Sequence, residues 1–313
     1  MTNSSHSITK KRPRVLICDA LAAVGVTLLR EHTDVDVNTT LTPAALLDVV
    51  ADYDVLVVRS ATQVTRAVIE RGQSLQLIAR AGAGLDNIDV VAARERQITV
   101  VNSPDANTLA VAEHTMGLLL SLARRLPRAD WGLKAGKWEK SSLVGEGLAG
   151  KTLGIVGFGR IGREVAMRAH AFRMKILVNQ RRSTPELDLA AGVQSVDLFD
   201  LLRAADFVTL HLPLTAETEN MFGAAQFAVM KQTAYLVNTA RGGLIAEAEL
   251  LQALDNGQIA GAALDVFVHE PAIDSALARH ERVIATPHIG ASTTDAQEAA
   301  ALSVAEQIVA FFQ

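Results

Sequence analysis

The chain of 313 residues is 49% hydrophobic with 21 glycines, which supplies apolar material for two cores and excludes a disordered protein. Its 30 Lys and Arg against 34 Asp and Glu leave a formal charge of −4, so there is no basic field to concentrate nucleic acid or anionic membrane, and neither is expected as a partner. Cys18, the single cysteine, makes neither an internal disulfide nor a cysteine-based zinc site, which points to a reducing, cytoplasmic setting. The first fourteen residues, MTNSSHSITKKRPR, lack the apolar core of a secretory signal and read as a frayed tail. No later apolar run reaches the ~18 residues that cross a bilayer.

From Val15 onward, short aliphatic runs alternate with segments of helical period, the grammar of a parallel sheet with crossover helices. Strands are expected at 15–20, 35–39, 54–60, 75–80 and 99–103, with Thr42 as N-cap and Pro43 as first residue of an intervening helix. This is one doubly wound unit of roughly a hundred residues. A single long helical pattern then runs from about Asn107 to Lys134, followed by a loop rich in Gly and Ser. A second αβ series has strands expected at 152–157, 175–179, 206–212, 234–240, 259–267 and 282–287, and the chain closes on a helix. The fold class is therefore α/β with two doubly wound parallel-sheet domains, and no internal repeat of fixed period is evident.

Gly157, Gly159 and Gly162 form a triplet directly after a strand and before a helix. In that context the first glycine permits a tight turn, the second lets backbone approach a pyrophosphate, and the third lets helix and strand pack closely. The helix N-terminus beyond offers N–H groups and positive dipole to the anion. The following strand ends in Asn179, Gln180, Arg181, Arg182 and Ser183, without the acidic residue that accepts the ribose hydroxyls of NAD. Neutral Gln180 does not repel a 2′-phosphate and the two arginines can pair with one, so NADP is expected over NAD. The alternative is that both arginines lie on a solvated edge and NAD binds through its pyrophosphate.

Three polar residues stand at ends of expected strands in the second half, where open α/β sheets build sites: Arg241, Glu270 and His288. Interconverting a 2-hydroxy acid and a 2-oxo acid needs a cation for the carboxylate, a hydride carrier and an acid/base near neutrality. Arginine's planar fork suits the first and histidine the last, while a glutamate touching His288 would favour its protonated form. Each has a plainer alternative: Arg241 capping a turn, Glu270 as a surface acid, His288 as a satisfied core histidine. His211 is the main competing base, although its HLPLTAET setting reads as a cofactor-side turn, and His269 is expected to point away from Glu270. His32, His114, His170 and His280 fall in helices or loops, His6 in the tail, and their spacing suggests no metal site.

These residues resemble the D-isomer-specific 2-hydroxyacid dehydrogenase family. The most specific pieces are RAGAGLDNID (80–89), GKWEKS (136–141), LAGKTLGIVGFGRIGREVA (148–166), VNTARGGLI (237–245), ALDVF with Glu270-Pro271, and TPHIGAST (286–293). The resemblance implies a flavodoxin-like substrate domain, 1–104 with 289–313, around a Rossmann NAD(P)-binding domain, 105–288. It implies Arg241, Glu270 and His288 as the catalytic set and Asp265 against the nicotinamide carboxamide. Further cofactor contacts would come from Arg160, Ile161, Leu212, Pro213, Thr239, Ala240, Gly290 and Ala291. A homodimer through the nucleotide domain is implied as well.

Arg80, with Arg59, discriminates substrate, because members acting on a phosphorylated acid carry cations there and two guanidiniums can meet a phosphate as well as a carboxylate. The alternative is that both make structural salt bridges. Ser60, Ala83, Gly84 and Asn107 complete the implied substrate contacts, and Lys140 would reach a phosphate across a dimer. The expected reaction is oxidation of 3-phospho-D-glycerate to 3-phosphooxypyruvate, or its reverse, at the entry to serine synthesis. One alternative is an NADPH-dependent hydroxypyruvate or glyoxylate reductase; another is a non-catalytic, corepressor-like dinucleotide sensor. Because the sequence ends just after its terminal helix, no regulatory extension and no feedback by serine are expected.

Overall fold

The computed structural model describes residues 12–181 and 192–313. The basic tail residues Lys10 and Lys11, and Arg182, lie outside the described residues. The described chain divides into two compact units, one running to Asn107 and completed by Ser292–Gln313, the other Thr108–Ala291.

In the first unit, strands β1 (Arg14–Ile17), β2 (Asp34–Val37), β3 (Val55–Val58), β4 (Leu77–Arg80) and β5 (Thr99–Asn102) form an all-parallel sheet in the order β2-β1-β3-β4-β5, the flavodoxin-like winding. Period-two alternation sends their side chains to two cores. Val15, Ile17, Val55, Val57, Leu77 and Ala79 pack with Leu29 of helix α1 (Ala23–His32) and with Val304 and Ile308 near the chain end. Leu16, Cys18, Leu56, Val58 and Ile78 face the opposite layer. That layer holds α2 (Pro43–Val49), α3 (Arg66–Arg71) and α4 (Val90–Glu95). Thr42 caps α2 by accepting from the Ala45 N–H at 3.2 Å, with Pro43 where its missing N–H costs nothing.

The second unit begins with α5 (Thr108–Arg124) and α6 (Leu126–Lys134). Its sheet comprises β6 (Thr152–Val156), β7 (Lys175–Asn179), β8 (Val193–Ser195), β9 (Phe207–Leu210), β10 (Tyr235–Asn238), β11 (Gly261–Leu264) and β12 (Val283–Ala285), all parallel, in the order β12-β11-β10-β9-β6-β7-β8. The winding reverses between β6 and β9, the topological switch point at which such sheets bind ligands. The crossovers are α7 (Arg160–Ala171), α8 (Leu198–Ala204), α9 (Ala224–Val229) and α10 (Glu247–Asp255), while α11 (Thr294–Phe312) returns to the first unit.

Two local expectations are corrected. The long helix of 107–134 breaks at Arg125, which takes φ 54°. Pro127 has no N–H to give the Ala123 carbonyl four residues back, and that carbonyl accepts instead from Glu146 N at 2.8 Å. The edge strand β8 was not anticipated, because its half-exposed Val-Gln-Ser lacks an apolar run.

Candidate functional site

Because the second sheet is parallel throughout, the residue following each strand lies on one edge. Taken across the sheet, that edge carries His288 beyond β12, Asp265 and Glu270 beyond β11, Thr239 to Arg241 beyond β10, Leu212 and Pro213 beyond β9, the glycine turn beyond β6, and Gln180 beyond β7.

The turn after β6 is one that only glycine satisfies. Gly157 sits at φ 96°, and a Cβ there would lie 2.4 Å from the His211 carbonyl oxygen; one at Gly162 would lie 2.3 Å from the Gly157 oxygen. Gly159 differs: a Cβ would meet nothing within 4 Å, and as N-cap of α7 it provides no side-chain cap. The first N–H groups of α7, at Arg160 and Ile161, therefore face an opening with positive dipole. Beside it, Gln180 Nε2 and His211 Nδ1 are buried with no hydrogen-bond partner among the described residues. An open helix terminus and two orphaned polar atoms fit a phosphate-bearing dinucleotide. Arg181 is exposed at the end of this edge.

His211 is removed as a competing base by its surroundings. Burial pushes its pKa down to about 3, so the ring is neutral at neutral pH, with Nε2 3.0 Å from Thr209 Oγ1.

On the other half of the edge, Asn238 is fully buried and organises the turn after β10: its side chain donates to the Arg241 carbonyl at 2.9 Å and accepts from Ala240 N at 3.0 Å. The Arg241 guanidinium donates to the Ala240 carbonyl at 2.7 Å. Gly242 lets this turn pass against the next one, since a Cβ would stand 2.0 Å from the Phe267 carbonyl carbon. Glu270 accepts from Phe267 N through Oε1 at 3.1 Å, which leaves Oε2 to meet His288 Nδ1 at 2.8 Å. The His288 side chain is 49% exposed, so its second ring nitrogen is accessible, and the residue holds φ 53° with its N–H bonded to the Asp265 carbonyl at 2.8 Å.

Asp265 itself is only 1% exposed. Its Oδ1 accepts from Thr286 Oγ1 (2.6 Å) and Ile289 N (2.9 Å), and its Oδ2 from Gly290 N (2.8 Å). Burial alone would raise its pKa, but bonds from His114, Thr286 and the two amides outweigh that and hold it below the ordinary carboxylate range. Two residues of this half escaped sequence reasoning, His114 and Thr115 on α5. His114 Nε2 lies 3.3 Å from Asp265 Oδ1 and 3.2 Å from Thr286 Oγ1, and Thr115 Oγ1 lies 2.8 Å from Thr239 Oγ1. The one sequence signal is a polar pair inside the apolar run LAVAEHTMGLLL.

The remaining candidates in the second unit are Ala291, following Gly290, and Lys140, exposed on a short 3₁₀ turn. In the first unit, Arg59 and Ser60 follow β3 and Arg80 ends β4, neighbours on one sheet edge. Asp19 Oδ2 accepts from Arg59 N (2.6 Å) and Thr62 N (3.2 Å). Asn87 donates to the Arg59 and Thr62 carbonyls and accepts from Arg80 Nε at 3.0 Å. Asn102 donates to the Ala83 carbonyl at 2.6 Å, steadying the loop that contains Gly84. Asn107 Oδ1 is buried without a hydrogen-bond partner among the described residues.

Residues 116–290 match the family model described as D-isomer specific 2-hydroxyacid dehydrogenase, NAD binding domain. The chain belongs to the D-isomer-specific 2-hydroxyacid dehydrogenases. It is 50% identical over 296 residues to D-3-phosphoglycerate dehydrogenase of Methanocaldococcus jannaschii, covering 94% of this chain and 56% of that one. It is 46% identical over 301 residues to hydroxypyruvate reductase of Thermotoga maritima, covering 95% and 97%. The chain thus spans about half the length of several curated relatives and nearly all of another. Among solved structures, D-lactate dehydrogenase of Aquifex aeolicus, complexed with NAD and lactic acid, superposes with a TM-score of 0.84 at 27% identity over 96% of this chain and 95% of that one. The matched family model describes an NAD-binding domain.

Proposed function

We propose that the chain is an NAD(P)-dependent dehydrogenase of D-2-hydroxy acids, acting between 3-phospho-D-glycerate and 3-phosphooxypyruvate at the entry to serine synthesis. The observation that carries this reading is the His288–Glu270 contact of 2.8 Å on an exposed imidazole, on the same sheet edge as Arg241 and the open glycine turn. When bound, the cofactor supplies or accepts the hydride at the substrate's second carbon. Arg241 holds the carboxylate in a forked pair. His288 gives its proton to the carbonyl oxygen in reduction and takes it back in oxidation. Glu270 orients the ring through Nδ1 and balances its charge while the proton is carried.

Toward the cofactor, Gly157, Gly159, Arg160, Ile161 and Gly162 would cradle the pyrophosphate, with Gln180 and Arg181 at the adenosine ribose. Leu212, Pro213, Thr239, Ala240, Gly290 and Ala291 would line the remainder, with Asp265 toward the nicotinamide carboxamide. The lack of an acid after β7 supports NADP over NAD. Arg59 and Arg80 are our candidates for the substrate's phosphate, with Ser60, Ala83, Gly84 and Asn107 beside them. The domain assignment that goes with this reading is 1–104 with 289–313 for substrate and 105–288 for the dinucleotide.

A homodimer in the cytoplasm is part of the proposal. Supporting it, Leu126, Trp131, Leu133, Trp138 and Val144 are all at least half exposed on one segment of the second unit. Lys140 on that segment is the candidate to reach a phosphate across the dimer. Among the described residues no helix is long and apolar enough to cross a membrane.

The second reading, an NADPH-dependent hydroxypyruvate or glyoxylate reductase, is favoured by Gln180 and by the full-length match to the Thermotoga enzyme. A matrix of 3-phosphooxypyruvate, hydroxypyruvate and glyoxylate against NADH and NADPH decides between them. The phosphate assignment predicts the highest kcat/KM with the phosphorylated acid, and Arg80→Ala should erase most of that preference. Equal losses on all three acids would return Arg80 to a structural role.

A further inference from the structure

His114 and Thr115 project from α5 toward the strand ends of the second sheet, and neither belongs to the set of groups assigned above to substrate or cofactor. The hydrogen positions around His114 follow from its neighbours. Thr286 Oγ1 donates its single proton to Asp265 Oδ1 at 2.6 Å, so toward His114 it can only accept. The carboxylate of Asp265, held in its charged form by the surrounding donors, also only accepts. His114 Nε2, within 3.3 Å of both oxygens, must therefore carry a proton, which fixes the tautomer of the neutral ring.

The same carboxylate holds two consecutive amides of the turn beyond β12, Ile289 N through Oδ1 and Gly290 N through Oδ2. His288, one residue earlier, is pinned at φ 53° with its N–H on the Asp265 carbonyl oxygen. Charge-assisted bonds thus run from α5 through the Asp265 carboxylate to the Thr286 hydroxyl before His288 and to the two amides after it, while the His288 N–H meets the Asp265 backbone carbonyl. Asp265 is nearly inaccessible to solvent, so water cannot substitute for a lost donor without opening the site.

We infer that His114 is a positioning residue for the turn bearing His288, acting by hydrogen-bond donation to Asp265 and Thr286. Without that donor the carboxylate is free to rotate off the two amides, and the 286–290 turn loses its fixed backbone. Thr115 strengthens the inference by serving a parallel purpose one strand away. It donates to the Val111 carbonyl at 2.7 Å and so accepts from Thr239, which ties the end of β10 to the same helix. The site is anchored on α5 at two neighbouring strand ends.

The consequence for catalysis rests on the reading of His288 as the acid–base group, whereas the tether itself can be read without any substrate. His114→Leu removes the donor and keeps an apolar filler of similar reach, while His114→Gln restores an N–H at nearly the position of Nε2. Hydrogen–deuterium exchange of the peptide containing Ile289 and Gly290, followed by mass spectrometry, should speed up roughly tenfold or more in the leucine variant and return close to wild type in the glutamine variant. With 2-oxo acid and cofactor, kcat should fall by about tenfold in His114→Leu, the loss expected for one charge-assisted bond, and recover in His114→Gln.

Unchanged exchange in the leucine variant overturns the inference, and so does equal acceleration in both variants, which would mean that the imidazole's shape matters and its proton does not. Wild-type protein inactive on every 2-oxo acid would instead overturn the functional reading, leaving the exchange result to judge the tether. Should His114→Leu not fold, Thr286→Val against Thr286→Ser makes the same comparison from the other donor, with faster exchange expected for valine alone.

Discussion

The two units solve one problem with the same device and different backing. Each must hold a loop at the carboxyl edge of a parallel sheet, and each does so with an aspartate lying just beyond a strand that accepts backbone N–H groups from a neighbouring loop. In the first unit Asp19 takes Arg59 N and Thr62 N, helped by the Thr62 hydroxyl at 2.8 Å from the very loop it holds. In the second, Asp265 takes Ile289 N and Gly290 N, and its support arrives from a separate element, His114 on α5. Asp19 retains 9% of its exposure and Asp265 only 1%. On the proposed reading, a loop that presents Arg59 to an anion can tolerate some solvent around its anchor. On the same reading, a turn that must aim the His288 ring gains from an anchor that water does not reach.

The largest expected effect breaks the second unit's chemistry alone. Removing the ring in His288→Ala should lower kcat by roughly 10²- to 10⁴-fold, the usual worth of a general acid–base, while cofactor Kd from fluorescence titration stays within a few-fold of wild type. A kcat within threefold of wild type would detach His288 from catalysis.

The two anchors are compared directly by Asp265→Asn and Asp19→Asn. Losing the buried charge at 265 while its donors remain should destabilise by about 3 kcal/mol in urea titration, against about 1 to 2 kcal/mol at the wetter Asp19. The kinetic signatures should also part, kcat falling in Asp265→Asn and KM for the acid rising in Asp19→Asn. Matching losses would mean that the deeper anchor gains nothing from its burial.

A further difference lies in the pH response. His211, pushed down to about 3 by burial, is deprotonated when folded down to that pH, whereas an unfolded histidine protonates near 6.5. The unfolded chain therefore binds about one extra proton between pH 6.5 and 3, and the second unit loses stability as pH falls through that window. Asp265 adds the same sign, since its lowered pKa contributes stability that is lost as pH falls. The first unit carries a shift of the opposite sign at Cys18. Burial first, and then the charge of Asp19, push Cys18 from 9.0 to about 12, so the unfolded chain releases a proton that the folded unit retains, and stability falls as pH rises from 9 toward 12. Exchange of peptides from each unit across pH should show the second loosening first in acid and the first in base, with His211→Gln flattening the acid side.

Much of the fold was legible because strands buried on both faces are short runs rich in aliphatic and β-branched residues, such as Val55–Val58 and Phe207–Leu210, and because Thr42-Pro43 and the glycine triplet mark helix starts by mechanism. The break at Pro127 was hidden by apolar periodicity that continues on both sides of it, and β8 by having only three residues at a sheet edge. At the site, the residues following strand ends could be named from chain order, since a parallel sheet delivers them to one edge. His114 and Thr115 could not, because a polar residue on a helix declares its partner only when the strand that carries that partner is folded beside it. Asp265 was legible as a strand-end acid, but its grip on the 289–290 amides depends on two turns meeting, which no local pattern encodes.

The exchanged bond at the end of α5 has a consequence for association. The Ala123 carbonyl, given up by Pro127, is taken by Glu146 N, and the Arg125 side chain donates to the Ser142 carbonyl at 2.8 Å. The stretch between them, which carries Trp131 and Trp138 on its surface, is thereby closed at its base like a hasp. Much of its backbone freedom is surrendered on folding, so a body settling on those two indole rings meets a surface with little entropy left to lose, and more of each buried contact survives as affinity.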